Sequence, residues 1–165
     1  MSIKRPIQEI ILHCSATRHG VTAKQIKRYH VNDRGWDDCG YHFIIDSKGT
    51  INPMRNINRR GAHCKGRNDK SVGICYVGGR DNKGKMHRIT PKQRKALEDT
   101  INGLFLELGK IIPVYGHNDY NPLKECPCLD VTELKLWDSQ ELRNALQSTN
   151  MGNVDPTPYI PKNVP

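Results

Sequence analysis

The stretch GHNDYNPLKECPCLD, Gly116–Asp130, brings a histidine, a lysine and two cysteines into one segment that Pro122 and Pro127 stiffen. Imidazole and thiolate are good ligands for zinc, and a catalytic zinc is held by three protein groups with a fourth position left to water. His117 and Cys126 offer two of the three, and His13, at the end of an apolar run, offers another. The prolines reduce the entropy lost in holding Cys126 near His117. Cys128 is an alternative ligand in the same loop.

These side chains need elements to bring them together, and the sequence alternates α and β patterns without an internal repeat. Residues 7–13, IQEIILH, read as a mostly buried strand that ends on His13, and IPVYGH reads as a short strand that ends on His117. In open α/β sheets, ligands gather beyond the C-terminal ends of such strands. Thr22 and Gln25 form a capping box opening a helix over TAKQIKRYHVNDRG, with Gly35 to end it. YHFIIDSKGTI reads as strand, turn and return strand, and SVGICYVGG as a β-rich run. Thr90, Pro91 and Gln93 open the clearest helix, whose stripe of Leu97, Ile101, Leu104, Phe105 and Leu108 stops at Gly109. A final helix is expected to carry Leu134, Trp137, Leu142 and Leu146 on one face. The expected organisation is one α/β domain over residues 1–148, followed by a proline-rich arm over 149–165.

A chain of 165 residues suits one domain with one core. Its 26 Lys plus Arg against 17 Asp plus Glu leave a net charge of +9, which attracts anionic partners such as nucleic acid, acidic lipid or bacterial cell wall. Only 6% of the residues are aromatic and no nucleic-acid motif is present, so nucleic acid is not expected as a partner. No apolar run approaches the roughly 20 residues of a membrane span. The run IILHC is also too short, and too polar at His13, for the core of a signal peptide. Synthesis in the cytoplasm without an export signal is therefore expected, and the six cysteines read as reduced thiols or metal ligands.

Four blocks in order then carry a resemblance: ILHCSAT (11–17), GWDDCGYHFIIDSKGTI (35–51), RRGAHCKGRNDKSVGICYVGG (59–79) and GHNDY with KECPCLD (116–130). They resemble the zinc-dependent N-acetylmuramoyl-L-alanine amidases, in particular phage-lysozyme-type endolysins, which share a fold with peptidoglycan recognition proteins. The resemblance implies a central mixed β-sheet flanked by helices, with zinc in a surface groove. It also implies hydrolysis of the amide bond between N-acetylmuramic acid and L-alanine in peptidoglycan. The metal ligands map onto His13, His117 and Cys126, the last because the family's third ligand directly precedes a proline, as Cys126 precedes Pro127. The catalytic positions map onto Tyr41 and Lys124. Tyr41 can hydrogen-bond the oxyanion or the water, while Lys124 either adds positive charge where negative charge develops or protonates the leaving amine. Many amidases of this fold carry a glutamate where this sequence has Cys75. The resemblance further implies a phage or prophage enzyme, expected to be a monomer, that reaches the wall after release.

A noncatalytic wall-binding module is the main alternative, and it predicts a broken ligand set. A cysteine-nucleophile hydrolase built on Cys14 or Cys126 is a third reading, which insensitivity to chelators would reveal. His42 and His63 fall inside matching blocks and are read as either lining the site or structural. His19, His30 and His87 are read as surface residues, and Cys14, Cys39, Cys64 and Cys75 as small packed hydrophobes.

Overall fold

A computed structural model of the chain describes residues 3–150, so the expected arm lies, from residue 151 onward, outside the described residues. The strand expected around residues 7–13 is β1, Glu9–Cys14, and it is buried at every position. It is paired on both sides with parallel strands, β4 (Ser71–Tyr76) and β7 (Val114–Gly116). β2 (Phe43–Ile45) runs parallel to β4, and β3 (Ile51–Pro53) returns antiparallel to β2. The sheet is thus mixed, in the order β3-β2-β4-β1-β7. A two-stranded ribbon, β5 (Gly79–Arg80) and β6 (Met86–His87), follows β4.

Strand alternation sends two sets of side chains to opposite faces. Ile10, Leu12, Val72, Ile74 and Tyr76 pack with Leu97, Ile101, Leu104 and Phe105 of α2 (Pro91–Leu108). On the other face Ile44, Cys75 and Val77 pack with Ala23 and Ile26 of α1 (Ala23–Arg28). Apolar side chains on both faces explain why β1 reads as a nearly continuous apolar run. α2 begins and ends as expected: Thr90 and Gln93 close the capping box, Pro91 takes the first turn, and Gly109 stops the helix in the left-handed region at φ +65°. Gln93 also donates to the Val77 carbonyl at 2.8 Å, tying the helix start to the end of β4.

α1 opens on its Thr22–Gln25 capping box, but it does not continue as one α-helix. Its last turn is a π-turn over Tyr29–Asp33, closed by the Arg34 N–H on the Tyr29 carbonyl. The cause lies in His30, which the sequence places at the surface and the structure buries. Its ring stacks on Trp36 at 4.6 Å, and its Nδ1 accepts from the Gly40 N–H at 3.1 Å. A wider turn satisfies both contacts.

The C-terminal helix also differs from expectation. After α3 (His117–Tyr120), α4 covers Ser139–Asn150, so Leu134 and Trp137 precede it. Two polar side chains of α2 hold the preceding segment extended: Glu98 accepts from the Lys135 N–H and Asn102 from the Trp137 N–H, each at 2.9 Å. Asp138 then caps α4, accepting from the Gln140 and Glu141 N–H groups at 2.8 Å, while Glu141 takes the Asp138 N–H. No helix among the described residues is long and apolar enough to cross a membrane.

One buried charge anchors the start of β1. Glu9 receives two bonds from the Arg67 guanidinium, at 2.7 and 2.6 Å, and one from the Tyr120 hydroxyl at 2.6 Å. Burial alone would raise its pKa; the bonds from Arg67 and Tyr120 outweigh burial and leave it below the ordinary 4.5. A depressed carboxylate contributes stability that is complete above its unfolded pKa and drains away as pH falls through the folded value. The thermal midpoint should therefore fall as the solution is acidified below 4.5. Glu9→Gln should flatten that acid limb and cost about 1–3 kcal/mol in urea unfolding at pH 7.

Candidate active site

The register of β1 and β7 sets Leu12 opposite Gly116, so the residues that follow, His13 and His117, emerge side by side with ring centroids 4.6 Å apart. His117 is the first residue of the short helix α3 rather than the last of the strand. The loop carrying Cys126 closes back on that helix, since the Asn118 N–H donates to the Cys126 carbonyl at 2.8 Å. The buried Tyr76 hydroxyl fixes the next carbonyl, that of Pro127, at 2.7 Å. From the other side, the Cys14 N–H points at the Cys126 sulfur at 3.2 Å.

The result is a compact donor set. Ligand atoms of His13, His117 and Cys126 lie within 4.8 Å of one another, with the Cys126 Sγ 3.7 Å from His13 Nδ1. Two imidazoles and a thiol at this spacing could hold a metal ion, and they match the donor types of a catalytic zinc site with an open position. Cys128 is not in the group: its backbone is left-handed at φ +59° and its sulfur lies 3.6 Å from that of Cys14. All six cysteines are unpaired, and Cys14, Cys39, Cys64 and Cys75 are buried as the sequence suggests.

Burial sets the protonation of the two imidazoles. His13 is held well below the usual histidine range by desolvation and then by the neighbouring His117. His117 is lowered by desolvation and by the Lys124 ammonium. Both rings are therefore kept neutral, the form that binds a metal. The Tyr41 ring is 5.1 Å from that of His13, and desolvation, with the thiols of Cys75 and Cys126 nearby, pushes its hydroxyl well above the usual range. Tyr41 thus remains a donor. A cavity of about 840 Å³ is lined by His13, His117, Cys126, Tyr41 and Lys124, and Lys124 is exposed at its edge. All five sequence candidates therefore meet in one place.

Cys75 stands opposite His13 in the β1–β4 register and is fully buried, with its pKa pushed well up by desolvation. A neutral thiol here is no general base. Beneath His13 lies a second layer of histidine. His63 Nδ1 is 3.0 Å from His13 Nε2, and His63 Nε2 is 3.3 Å from the Ser71 hydroxyl. The His63 ring occupies space left by Gly61 and Gly73, where a Cβ on either residue would overlap it. His42 is adjacent, its Nδ1 accepting from the Gly73 N–H at 3.0 Å and its Nε2 facing the Arg59 carbonyl at 3.0 Å. Burial drives its pKa down to about 3. Arg18, Arg34 and Lys83 also line the cavity, and no spacing in the sequence singles them out.

A mixed sheet flanked by helices, in the order found here, is an architecture that this chain shares with solved amidases and peptidoglycan recognition proteins. The fold superposes on the N-acetylmuramoyl-L-alanine amidase LysC from Clostridium intestinale with a TM-score of 0.65 at 25% identity, covering 93% of this chain and 90% of that one. It superposes on Drosophila PGRP-LB with a TM-score of 0.63 at 28% identity, covering 77% and 78% of the two chains. The chain belongs to the N-acetylmuramoyl-L-alanine amidase family, which matches residues 3–128. Among its relatives is the endolysin of Enterobacteria phage T3, 37% identical over 139 residues that cover 82% of this chain and 88% of the relative.

Gly116 is where the donor set is most easily disturbed, because a Cβ there would lie 2.7 Å from Pro127 Cδ and overlap Asn118. Gly116→Ala should displace the loop that carries Cys126 while leaving the sheet folded. The expected result is at least a tenfold loss of affinity for a divalent metal in equilibrium dialysis, on the order of that caused by disturbing a ligand's support, with an unchanged far-UV circular dichroism spectrum.

Proposed function

We propose that the chain is a zinc-dependent N-acetylmuramoyl-L-alanine amidase of the endolysin type. It cleaves the bond between the lactyl group of N-acetylmuramic acid and L-alanine in peptidoglycan. The observation that carries this reading is the convergence of His13, His117 and Cys126 within 4.8 Å, beside Tyr41 and Lys124, in a chain of the amidase family. His13, His117 and Cys126 would hold the zinc. When bound in such a set, zinc lowers the pKa of water to about 7 and acts as a Lewis acid on a carbonyl.

The chain's own groups do the rest. The cavity beside His13 serves as the surface groove for the glycan-linked peptide. Tyr41, kept protonated by burial, donates a hydrogen bond to the oxygen on which negative charge develops. Lys124, exposed at the edge of the cavity, places an ammonium near the same charge or delivers a proton to the leaving amine. With Cys75 neutral and buried, the proton-handling groups are Tyr41 and Lys124. Arg18, Arg34 and Lys83 on the cavity wall, with the net charge of +9, favour an anionic wall polymer. Like its endolysin relatives, the enzyme acts on the wall once released to it.

A recognition module without activity is the second reading. Recognition of the wall is what the name of one relative records, Drosophila melanogaster peptidoglycan-recognition protein SC2, 30% identical over 127 residues. Digestion of purified peptidoglycan followed by mass spectrometry separates the two. The amidase should release peptides with free N-terminal L-alanine from intact glycan, and a strong chelator should abolish the release until zinc is restored. Binding without release would establish the module, and release that persists with the chelator would favour a thiol hydrolase.

Lys124 has its own test. Lys124→Ala should retain its zinc and its thermal midpoint while kcat and kcat/KM fall together by roughly a hundredfold. Lys124→Arg keeps the charge but cannot give up its proton. Activity retained in the arginine variant would mean electrostatic stabilisation, and loss in both variants would favour proton delivery. Wild-type turnover in Lys124→Ala would remove the residue from the mechanism.

A further inference from the structure

His13 has two ring nitrogens, and only one of them faces the metal position. Nδ1 is the nitrogen 3.7 Å from the Cys126 sulfur, whereas Nε2 points down into the protein toward His63. A neutral imidazole carries its proton on one nitrogen and its lone pair on the other. If the proton sat on Nδ1, it would point at the thiol and no lone pair would be available to a metal. Something must hold the proton on Nε2.

The hydrogen-bond chain beneath the ring has a fixed direction. It ends on the Arg67 carbonyl, which can only accept, and the Ser71 hydroxyl lies 2.8 Å from it. The single hydroxyl proton goes to that carbonyl, so Ser71 Oγ presents lone pairs to His63 Nε2, 3.3 Å away. His63 must then carry its proton on Nε2, which leaves Nδ1 as an acceptor. At 3.0 Å, that acceptor takes the proton of His13 Nε2. We propose that His63 is a positioning residue that sets the tautomer of His13. Through the chain Arg67 carbonyl, Ser71 hydroxyl and His63 ring, it keeps the proton on His13 Nε2 and leaves Nδ1 for the metal.

The surroundings of His63 are built for this task. Its ring is seated against Gly61 and Gly73, where a Cβ on either residue would overlap it. Its backbone and that of Cys64 both donate to Asn68 Oδ1, at 2.9 and 3.0 Å. Arg67, whose carbonyl ends the chain, is itself clamped to the buried Glu9 carboxylate. Rings that donate their second N–H to a protein acceptor are a general device for orienting metal-bound histidine, and losing the partner costs 10–100-fold in affinity or activity.

The inference rests on the proposed metal role of His13, and its test keeps the two apart. In the metal-free full chain, long-range proton–nitrogen NMR correlations should show the protons of both His13 and His63 on Nε2. His63→Leu, which removes the acceptor, should give His13 a mixture of tautomers and lower zinc affinity by roughly 10–100-fold in chelator competition. His63→Asn, whose side-chain oxygen can stand near the position of Nδ1, should recover most of that loss. Should His63→Leu fail to fold, Ser71→Ala cuts the chain one link away; it should leave His63 in two tautomers and weaken zinc severalfold.

A His13 proton on Nδ1 in the wild type would overturn the proposal. So would an affinity loss in His63→Leu or Ser71→Ala with tautomers unchanged, which is what a merely structural role predicts. The Nε2 tautomers with no zinc uptake would uphold the relay and sink the zinc reading instead.

Discussion

The parallel pairing of β1 with β4 and with β7 is the constraint from which the site follows. Parallel neighbours end at the same edge of the sheet, so the chain leaves β1 and β7 at adjacent points, and the residues found there are His13 and His117. An antiparallel β7 would carry His117 to the far end of the strand, roughly 10 Å away at about 3.3 Å per residue. Parallel strands also require long crossovers and cover on both faces. The segment between β1 and β4 supplies α1, Tyr41 and the loop of His63, and the segment between β4 and β7 supplies α2. Strand pairing and site geometry are therefore set together in this fold.

Crowding histidines against one another is tolerable only when they are uncharged. The His13 ring centroid is 4.6 Å from that of His117 and 5.0 Å from that of His63, and the His63 ring is 5.8 Å from His42. Imidazolium ions at these separations would repel strongly in a low-dielectric interior. Desolvation removes the conflict by driving the pKa values of His13, His42 and His63 down. The nearby cations are kept occupied. Arg5 donates to the carbonyls of Ile57, Asn68, Asp69 and Ser71, and Arg67 is paired with Glu9. Lys124, by contrast, is exposed at the edge of the cavity.

Local signals made much of this legible in the sequence. The capping boxes at Thr22 and Thr90, the stop at Gly109 and the turn between β2 and β3 depend on neighbours a few residues away, and they formed as read. The donor set was legible because histidine and cysteine at strand ends and in a proline-stiffened loop are unusual company, and the family blocks then chose among them. The π-turn at Tyr29–Asp33 was not legible, because its cause is the stacking of His30 on Trp36 across a turn. The start of α4 was misread although Asp138 and Glu141 carry the spacing of a capping box; the apolar residues before it drew the helix one turn too early. His63 could be placed near the site but not assigned a partner, since His13 lies fifty residues away in the chain.

The sheet ends on each side in a strand of only three residues, β3 and β7. Exposed strand edges are templates on which further chains can pair, and short edges and proline are among the ways proteins blunt them. β3 contains Pro53, which has no N–H to offer such a pairing. The edges of this sheet are therefore poor seeds for aggregation, and the mutual repulsion of chains each bearing +9 works in the same direction. Colloidal stability is thus favoured by the brevity of two strands as much as by charge.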